Sequence, residues 1–304
     1  MNIRTDGDCV DVAFITINYN TRELLNSLVD FLDRAEFPFT YSITVVDNNS
    51  SDGSLESLAD GPQVRIVANG ENLGYGAAAN RGVNATNSRY VCVLNTDVIL
   101  NREAITALWN YLEDHPSTGM CTPIVTYKDN RIQVFFFKFQ LLMYYGEFLA
   151  QMYTKYIKLL LPHARQPLKI DGIAGALLFL RRSFIAGEAL FDEDFFFYFE
   201  DTDLAYRWKK QGFASYILPD HRIIHLGGQS GKGRNQTLFY AGKYRFLRKH
   251  YGPAHAERIK RIDYWNIKRK VFSYQILSLI VPSMKIKQKL ASYQNYLAAL
   301  NSEA

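Results

Sequence analysis

Short apolar runs alternate with amphipathic stretches along the first half of the chain. The strand-like runs lie at 12–17 (VAFITI), 43–46, 64–67, 90–94 and 121–126. The stretches with helical spacing of apolar residues lie at 24–32, 54–59, from about 77, and 103–113. Asn20 and Glu23 have the spacing of a capping box in front of the first helix. The alternation predicts an α/β fold with a mostly parallel central sheet flanked by helices, which binds ligands at the carboxyl ends of its strands.

The pattern changes near residue 130. Within about 130–168, residues 139–161 have helical spacing, are rich in Tyr, Met and Leu and carry few charges, and Pro162 and Pro167 close this helical pattern. A pair of core helices, a lid over an acceptor and a helix on a membrane surface all fit this composition. After about residue 235 the chain is predicted to be helical. We therefore expect a catalytic domain at 1–230, with 130–168 as an aromatic helical insertion, and a helical C-terminal extension at 231–304.

Composition narrows the class of protein. The 304 residues carry a formal net charge of +5, with much of the basic excess between Lys260 and Lys289. This basic excess fits either a solvated helix face or an anionic membrane surface, and we expect no nucleic-acid partner. Three scattered cysteines favour a reduced, cytoplasmic setting, and no apolar run approaches the roughly 20 residues of a spanning helix. We expect a soluble or peripheral protein, and the aromatic, basic tail could also form a homodimer face.

Two polar segments follow predicted strands in the first half. Asp47 opens the turn DNNSSDGS, where an aspartate commonly caps or turns the chain but also accepts a hydrogen bond from the imide N–H of a pyrimidine. The segment NLGYGAAAN at 72–80 opens a helix, and such glycine loops allow close approach to an anion. Gly74, Gly76 and Ala79 also fit a dinucleotide fingerprint, with Asp97 placed as the ribose acid. An NAD-dependent oxidoreductase is therefore the alternative, although five residues separate this loop from its strand.

Acidic residues mark a second group of candidates. Asp97 ends the segment Asn95-Thr96-Asp97, where a carboxylate could either form a turn or ligate Mg²⁺ or Mn²⁺ beside a diphosphate. Five aromatic residues at 195–199 precede Glu200, Asp201 and Asp203 at the start of an amphipathic helix. Carboxylates against an apolar wall suit a general base. His225 follows a strand-like run and precedes two glycines, a place suited to a structural histidine or a metal ligand.

Taken together, these segments resemble a known enzyme family. DNNSSDGS, NLGYGAAANRG, LNTDV, DGIAGALLFLRR, FFFYFEDTDLAYRWKKQG and IIHLGGQS are similar to motifs of family 2 glycosyltransferases of the GT-A fold, especially bacterial rhamnosyltransferase-like members. The motifs stand in family order across about residues 10–230. The resemblance implies a donor pocket formed by Asn18, Tyr19, Asn20, Asp47, Asn49, Gly74, Tyr75, Gly76, Asn80, Asn95 and Thr96.

The resemblance also implies a mechanism. Asp201 would deprotonate the acceptor hydroxyl with support from Glu200 and Asp203, and the anomeric carbon would invert in one step. Asp97 and His225 would ligate the divalent metal, Mg²⁺ or Mn²⁺, although Asn95 stands where the family has its first metal-binding acid. The donor would be dTDP-rhamnose or a UDP-sugar, and the acceptor a surface glycan or a lipid-linked saccharide. A third hypothesis, a non-catalytic carbohydrate-binding module, is disfavoured by the three intact acids.

Overall fold

The computed structural model of the chain describes most of its residues. They are 9–58, 64–133, 136–137, 152–153, 155–173, 175–185, 189–227, 236–281 and 283–302. Residues 134–135, 138–151 and 154 of the predicted aromatic helical insertion lie outside these residues. Within the described part of the insertion, residues 152–153 and 155–160 are helical.

Strands and helices alternate in the first half, as the apolar runs predict. The strands are β1 (Val10–Asn18), β2 (Tyr41–Asp47), β3 (Val64–Ala68), β4 (Ser88–Asn95), β5 (Val98–Ile99) and β6 (Thr118–Thr126). The helices between them are α1 (Arg22–Arg34), α2 (Tyr75–Asn84) and α3 (Arg102–Asp114).

The second half adds shorter strands and the longest helices. The strands are β7 (Phe136–Phe137), β8 (Leu168–Ile170), β9 (Gly172–Ile173), β10 (Leu177–Arg181) and β11 (Ala214–His225). The helices are α4 (Glu200–Lys210), α5 (Gln236–Tyr251), α6 (Pro253–Ile280) and α7 (Met284–Ser302).

One large sheet organises the described residues, in the order β3-β2-β1-β4-β10-β6-β11-β5 with β8 beside β11. Strands β1 to β4 are parallel neighbours, and β6 and β11 run in the same direction. Strand β10 is antiparallel to both β4 and β6, so it reverses the chain in the middle of the sheet. As a result, the carboxyl ends of β1, β2, β4 and β11 and the amino end of β10 lie at one edge.

Helices cover both faces of this sheet. One buried cluster joins the β1 and β4 side chains to α1 and α3, for example through Leu28, Ile105 and Leu108. The opposite cluster joins the sheet to α2, α4 and the C-terminal helices, for example through Leu204 and Phe246. The helices after residue 235 therefore share a core with the sheet, and the proposed boundary at 230 stays a prediction about chain organisation.

Two local predictions are wrong. Helix α1 begins at Arg22 behind Thr21, without a side-chain cap, because Asn20 adopts a left-handed backbone (φ 54°) and its side-chain oxygen accepts from the Ser51 amide at 2.8 Å. Residues 54–57 form a turn instead of the predicted helix. There Asp52 accepts hydrogen bonds from the backbone and hydroxyl of Ser54, a local bonding pattern that competes with helix.

Candidate active site

A buried polar network joins the carboxyl ends of β1 and β2. The Asn18 amide nitrogen donates to Asp47 Oδ1 at 2.7 Å, and Ser50 donates to the Asp47 carboxylate from its amide (2.9 Å) and its hydroxyl (2.6 Å). Thr21 donates to Asn18 Oδ1 at 2.7 Å and lies 2.8 Å from the Thr96 hydroxyl. The network fixes Asp47, which is 3% exposed, beneath the loops that leave β1 and β2.

The loops that leave β1 and β2 carry three exposed residues of the predicted pocket. Tyr19, Asn20 and Asn49 are exposed residues on the two loops that leave β1 and β2. Asn20 and Asn49 both adopt left-handed backbone conformations, which asparagine tolerates better than most residues. These predicted pocket residues therefore lie on the loops that follow the strands ending at Asn18 and Asp47.

The structure gives the neighbouring Asn48 a role that the sequence analysis missed. Its amide nitrogen donates to Asn72 Oδ1 and to the Gly74 carbonyl, both at 3.0 Å. Its side-chain oxygen accepts from Asn69 at 2.9 Å and from the Leu73 amide at 3.2 Å. Asn48 thereby ties the glycine loop to the end of β2. The only sequence signal was its place beside Asp47, which did not separate it from Asn49.

The glycine loop packs directly against the aromatic segment before α4. Gly74 has φ +83°, and a Cβ there would lie 2.3 Å from the Phe196 carbonyl oxygen. The Tyr75 amide donates to that same oxygen at 2.9 Å. A Cβ on Gly76 would lie 3.1 Å from the Phe191 side chain. The absence of a side chain at these two glycines therefore allows the loop to pack against residues 191–196.

Asn80 faces the same segment from the first turns of α2. Its amide nitrogen donates to the Phe191 carbonyl at 2.8 Å and to Glu193 at 2.9 Å. Its side-chain oxygen accepts from the Phe191 amide at 2.9 Å. With 3% of its surface exposed, Asn80 holds the aromatic segment in place, and its assignment to donor binding stays a prediction.

Asp97 and His225 meet where β5 pairs with β11. His225 Nε2 lies 3.0 Å from Asp97 Oδ1 and 3.4 Å from the Asn95 amide nitrogen. On its other side, His225 Nδ1 lies 2.8 Å from Gln133 Oε1, while the Gln133 amide nitrogen donates to the His225 carbonyl at 2.5 Å. Because that carbonyl can only accept, Gln133 presents its oxygen to Nδ1, which must carry the proton in the neutral ring.

In this tautomer, the lone pair of His225 Nε2 points toward the Asp97 carboxylate. Asp97 is 2% exposed, and its Oδ1 is buried and receives no hydrogen bond. Two acceptors at 3.0 Å repel unless a proton or a cation lies between them. The described residues contain no group of three or more metal-binding side chains, so this pair would supply only part of a coordination sphere. The arrangement fits a metal whose remaining ligands come from a bound molecule.

Asp201 is held in one orientation at the start of α4. Its Oδ2 accepts from the Gly175 amide at 2.7 Å, and its Oδ1 accepts from the Thr202 amide at 2.5 Å. Burial raises the pKa of Asp201 and outweighs these hydrogen bonds, which act to lower it. Burial, followed by the charge of Asp201, raises the pKa of the adjacent Glu200 well above its usual range. Glu200 Oε2 is buried without a hydrogen-bond partner.

Backbone contacts place these acids close to the Asp97 loop. The Asn95 amide donates to the Ala176 carbonyl at 3.1 Å, one residue from the Gly175 amide that holds Asp201. The Tyr75 hydroxyl lies 3.4 Å from the Gly175 carbonyl. Burial and the charges of Glu200, Asp201 and Asp97 hold the pKa of Tyr75 well above its usual range. The glycine loop, the Asp97 loop and the start of α4 therefore line one site.

Comparison with known proteins decides the family. The sequence profile of Glycosyl transferase family 2 matches residues 13–185, more than half of the chain. The chain belongs to glycosyl transferase family 2. This family 2 glycosyltransferase is 28% identical over 224 residues to an N-acetylglucosaminyl-diphospho-decaprenol L-rhamnosyltransferase of Mycobacterium tuberculosis, over 67% of this chain and 72% of that protein. The matched family and the mycobacterial relative are glycosyltransferases, and they give the dinucleotide alternative no support.

Solved structures confirm the predicted GT-A fold. A mannosyltransferase of Pyrobaculum calidifontis, solved with GDP-Man and Mn²⁺, aligns with a TM-score of 0.59 at 15% identity over 99% of this chain and 89% of its own. GalNAc-T7 with UDP, GalNAc and Mn²⁺ aligns at 0.58 and 14% identity over 80% of the transferase, which spans about half of that protein (48%). At such identities the likeness establishes the fold alone.

Asp203 sits apart from the other two acids of the transferase. Its carboxylate accepts from Arg207 at 2.8 Å, from Lys249 at 2.7 Å and from His250 at 2.6 Å, and it is fully buried. Burial would raise its pKa, but the three hydrogen bonds prevail and lower it to about 2. This ion cluster fastens the first turn of α4 to the end of α5. Asp203 was predicted to support Asp201, and its contacts show it as an anchor of the helix that carries Asp201.

The backbone immediately before Glu200 is strained. Tyr198 and Phe199 both have positive φ (70° and 75°), which costs a residue with a side chain about 1–2 kcal/mol. Gly242 on α5 lies against this bend, and a Cβ there would meet the Tyr198 carbonyl at 2.6 Å. The Phe199 ring packs on Phe239, with ring centroids 5.3 Å apart. The C-terminal helices therefore pack against the bend at Tyr198 and Phe199, which precedes the acidic residues of α4.

Within the described residues, no helix of the transferase is both long enough and apolar enough to cross a membrane.

Proposed function

We propose that this transferase moves a sugar, in the first instance rhamnose, from a nucleoside diphosphate to a hydroxyl of a lipid-linked saccharide, with inversion at the anomeric carbon. The name of the mycobacterial relative motivates both the sugar and the lipid-linked acceptor. The observation that carries the proposal is the Asp201 carboxylate, which the Gly175 and Thr202 amides orient at the edge where nucleotide-binding residues are predicted.

The donor would lie across the ends of β1, β2 and β4. Asn18 and Ser50 hold the carboxylate of Asp47 in place. We propose that this carboxylate accepts a hydrogen bond from the imide N–H of a uracil or thymine. The exposed Tyr19 ring could then cover the base. The diphosphate would extend toward the glycine loop and Asp97, because that loop opens helix α2 and a helix N-terminus favours anions.

Asp201 would act as the general base. Its raised pKa makes the carboxylate a stronger base than an ordinary aspartate, while its two amide hydrogen bonds keep the ionised form accessible. It would accept the acceptor proton as the hydroxyl oxygen attacks the anomeric carbon and the nucleoside diphosphate departs. The aromatic residues before α4 would exclude water from this step.

A divalent metal fits the pair formed by Asp97 and His225. Asp97 offers a buried oxygen that receives no hydrogen bond, and Gln133 fixes the His225 tautomer that presents Nε2. When bound, such a metal offsets the charge that develops on the departing diphosphate. Tyr75 and Asn95 would orient the donor beside it, and the Mn²⁺ in two structural neighbours supports the same proposal.

Replacement of Asp201 by Asn tests the assignment of the base. We expect transfer to fall by about 10²–10⁴-fold, because a general base typically contributes that factor, while the donor binds nearly as before. Radiolabelled sugar transfer and calorimetric donor binding measure the two effects separately. The exposed Asp194, replaced by Asn, is a matched control that should keep full activity. Near-normal turnover by the Asp201 variant would overturn the assignment.

Nucleotide-induced thermal stabilisation tests the donor and the metal together. We expect dTDP or UDP to raise the melting temperature of the wild-type protein more strongly with Mn²⁺ than without it, because ligands of the folded state stabilise it. Asp97→Asn should remove the Mn²⁺-dependent part and leave the metal-independent part. A shift with NAD alone, insensitive to Mn²⁺ and to Asp97→Asn, would contradict both the donor and the metal proposals.

A further inference from the structure

The end of α6 and the start of α7 form an uncharged stretch of the sequence. From Val271 to Met284 the sequence VFSYQILSLIVPSM contains no charged residue. Val271 is the last buried residue of α6, and from Phe272 to the start of α7 the chain carries large apolar side chains that the other described residues leave exposed. They are Phe272, Ile276, Leu277, Leu279, Ile280, Val281 and Met284. We call residues 271–284 the tip.

The exposed apolar side chains of α6 lie on one side of the helix, opposite the partly buried Tyr274 and Ser278. Phe272 is 62% exposed, Leu279 85%, Ile280 71% and Met284 70%. Phe272, Ile276, Leu279 and Ile280 have i, i+4, i+7 and i+8 spacing, so they form one broad apolar face that Leu277 borders. A broad apolar face beside a cationic border fits an interfacial helix on an anionic bilayer.

Cations border the tip on both helices. Between 264 and 302 the chain has six Lys or Arg residues and no Asp or Glu. The cations flank the tip at Lys268, Arg269 and Lys270 on α6 and at Lys285, Lys287 and Lys289 on α7. We call these six residues the collar.

Tyrosine rings lie at the level of the collar. Tyr274 and Tyr293 pack together across the two helices with ring centroids 5.3 Å apart. Lys270 Nζ lies 5.2 Å from the Tyr293 ring centre, and Lys289 Nζ lies 5.8 Å from that of Tyr274. Tyrosine with a neighbouring cation is typical of the boundary between lipid headgroups and acyl chains.

The dimensions match this boundary. The six residue steps from Tyr274 to Ile280 rise about 9 Å along the helix, because an α-helix advances about 1.5 Å per residue. Interfacial helices bury their apolar side chains about 5–10 Å into the headgroup and acyl boundary. The tip would therefore reach the acyl chains while the collar stays among the headgroups.

We propose that the tip inserts into the surface of an anionic lipid bilayer and that the collar binds its headgroups. Charge selects this occupant over a second copy of the chain, because pairing two tips would also bring two sets of six cations together without an acid in either segment. Membrane docking by the tip is separate from sugar transfer. Membrane binding is measured without donor or acceptor, so either proposal can fail alone.

Sedimentation with lipid vesicles tests the docking. We expect the wild-type protein to bind vesicles that contain phosphatidylglycerol at low salt, to bind pure phosphatidylcholine vesicles more weakly, and to lose most binding at high salt, which screens the collar. Leu279→Ser with Ile280→Ser should weaken binding at least about tenfold, because two apolar side chains no longer enter the bilayer.

Matched variants separate the tip from general surface effects. Leu159→Ser, at another exposed leucine that is 72% exposed, should bind vesicles as the wild type does. Lys285→Gln with Lys287→Gln should weaken binding mainly at low salt. All variants should keep transfer to a water-soluble acceptor.

Three results would overturn the proposal. The first is wild-type protein that fails to bind anionic vesicles at low salt. The second is a tip variant that binds them as tightly as the wild type. The third is light scattering that shows a wild-type dimer which the tip variant dissociates, since the tip would then be an interface between two copies.

Discussion

The ion cluster around Asp203 is expected to stabilise the fold in a pH-dependent way. Replacement by Asn removes the charge that Arg207, Lys249 and His250 share and keeps the shape of the side chain. Because the folded protein holds the pKa of Asp203 at about 2, below its usual 3.8, the ionised form stabilises the folded state. The contribution is fully present above about pH 5 and is lost as the pH falls through 2.

The difference between the folded and unfolded pKa of Asp203 gives the size of its contribution to the free energy of unfolding. Lowering the pKa from 3.8 to about 2 corresponds to about 2.5 kcal/mol in the free energy of unfolding at neutral pH. The same linkage leaves about 2 kcal/mol at pH 4 and about 1 kcal/mol at pH 3. Asp203→Asn should therefore lower the free energy of unfolding by about 2.5 kcal/mol at pH 7, and the gap to the wild type should narrow in acid.

Urea unfolding of the wild type and the variant between pH 7 and pH 3 measures this gap. Asp194→Asn provides the control, since Asp194 pairs with Arg245 at 3.2 Å on the surface and is 76% exposed. Its effect should stay within about 0.5 kcal/mol at every pH, as for most exposed ion pairs. A gap for Asp203→Asn that is absent at pH 7, or that keeps its size down to pH 3, would refute the reasoning.

Two further substitutions test the loop and the acids. Gly74→Ala should destabilise the protein more than Gly212→Ala in urea unfolding, because both positions have positive φ but a Cβ meets the Phe196 carbonyl only at 74; equal losses would contradict the packing argument. Glu200→Gln should keep transfer within about tenfold of the wild type across a pH series, because burial and the charge of Asp201 favour the neutral form that Gln reproduces. A loss as deep as that of Asp201→Asn would instead assign Glu200 the proton transfer.

Hydrophobic periodicity predicted the elements that are buried on one or both faces. The runs 12–17 and 90–94 lie within β1 and β4, and the helical spacing at 103–113 lies within α3. The reversal at β10 was not foreseen, because an apolar run such as 177–180 has the same pattern in either direction. Helix starts depended on single hydrogen bonds, as at Asn20, that periodicity does not contain.

The residues of the candidate site were named from the sequence, but most of the contacts between them were not predicted. Asp97 and His225 are 128 positions apart in sequence, and their meeting at 3.0 Å could be expected only from the family resemblance. Gln133 and Asn48 were missed because a lone amide side chain has no motif. Asp203 was grouped with Asp201 by proximity in sequence, although its partners Lys249 and His250 come from a helix whose packing sequence alone does not specify.

These contacts give the C-terminal helices a part in building the site. Two consecutive left-handed residues, Tyr198 and Phe199, cost about 2–4 kcal/mol together, and they persist only if surrounding contacts offset that strain. The Asp203 cluster supplies about 2.5 kcal/mol immediately after the bend, and burial of the Phe199 ring against Phe239 adds to it. Gly242 leaves the space that lets α5 approach the bent backbone. The conformation that presents Asp201 is thus stabilised by residues outside the segment matched by the family profile, so changes on α5 should alter transfer without touching a substrate.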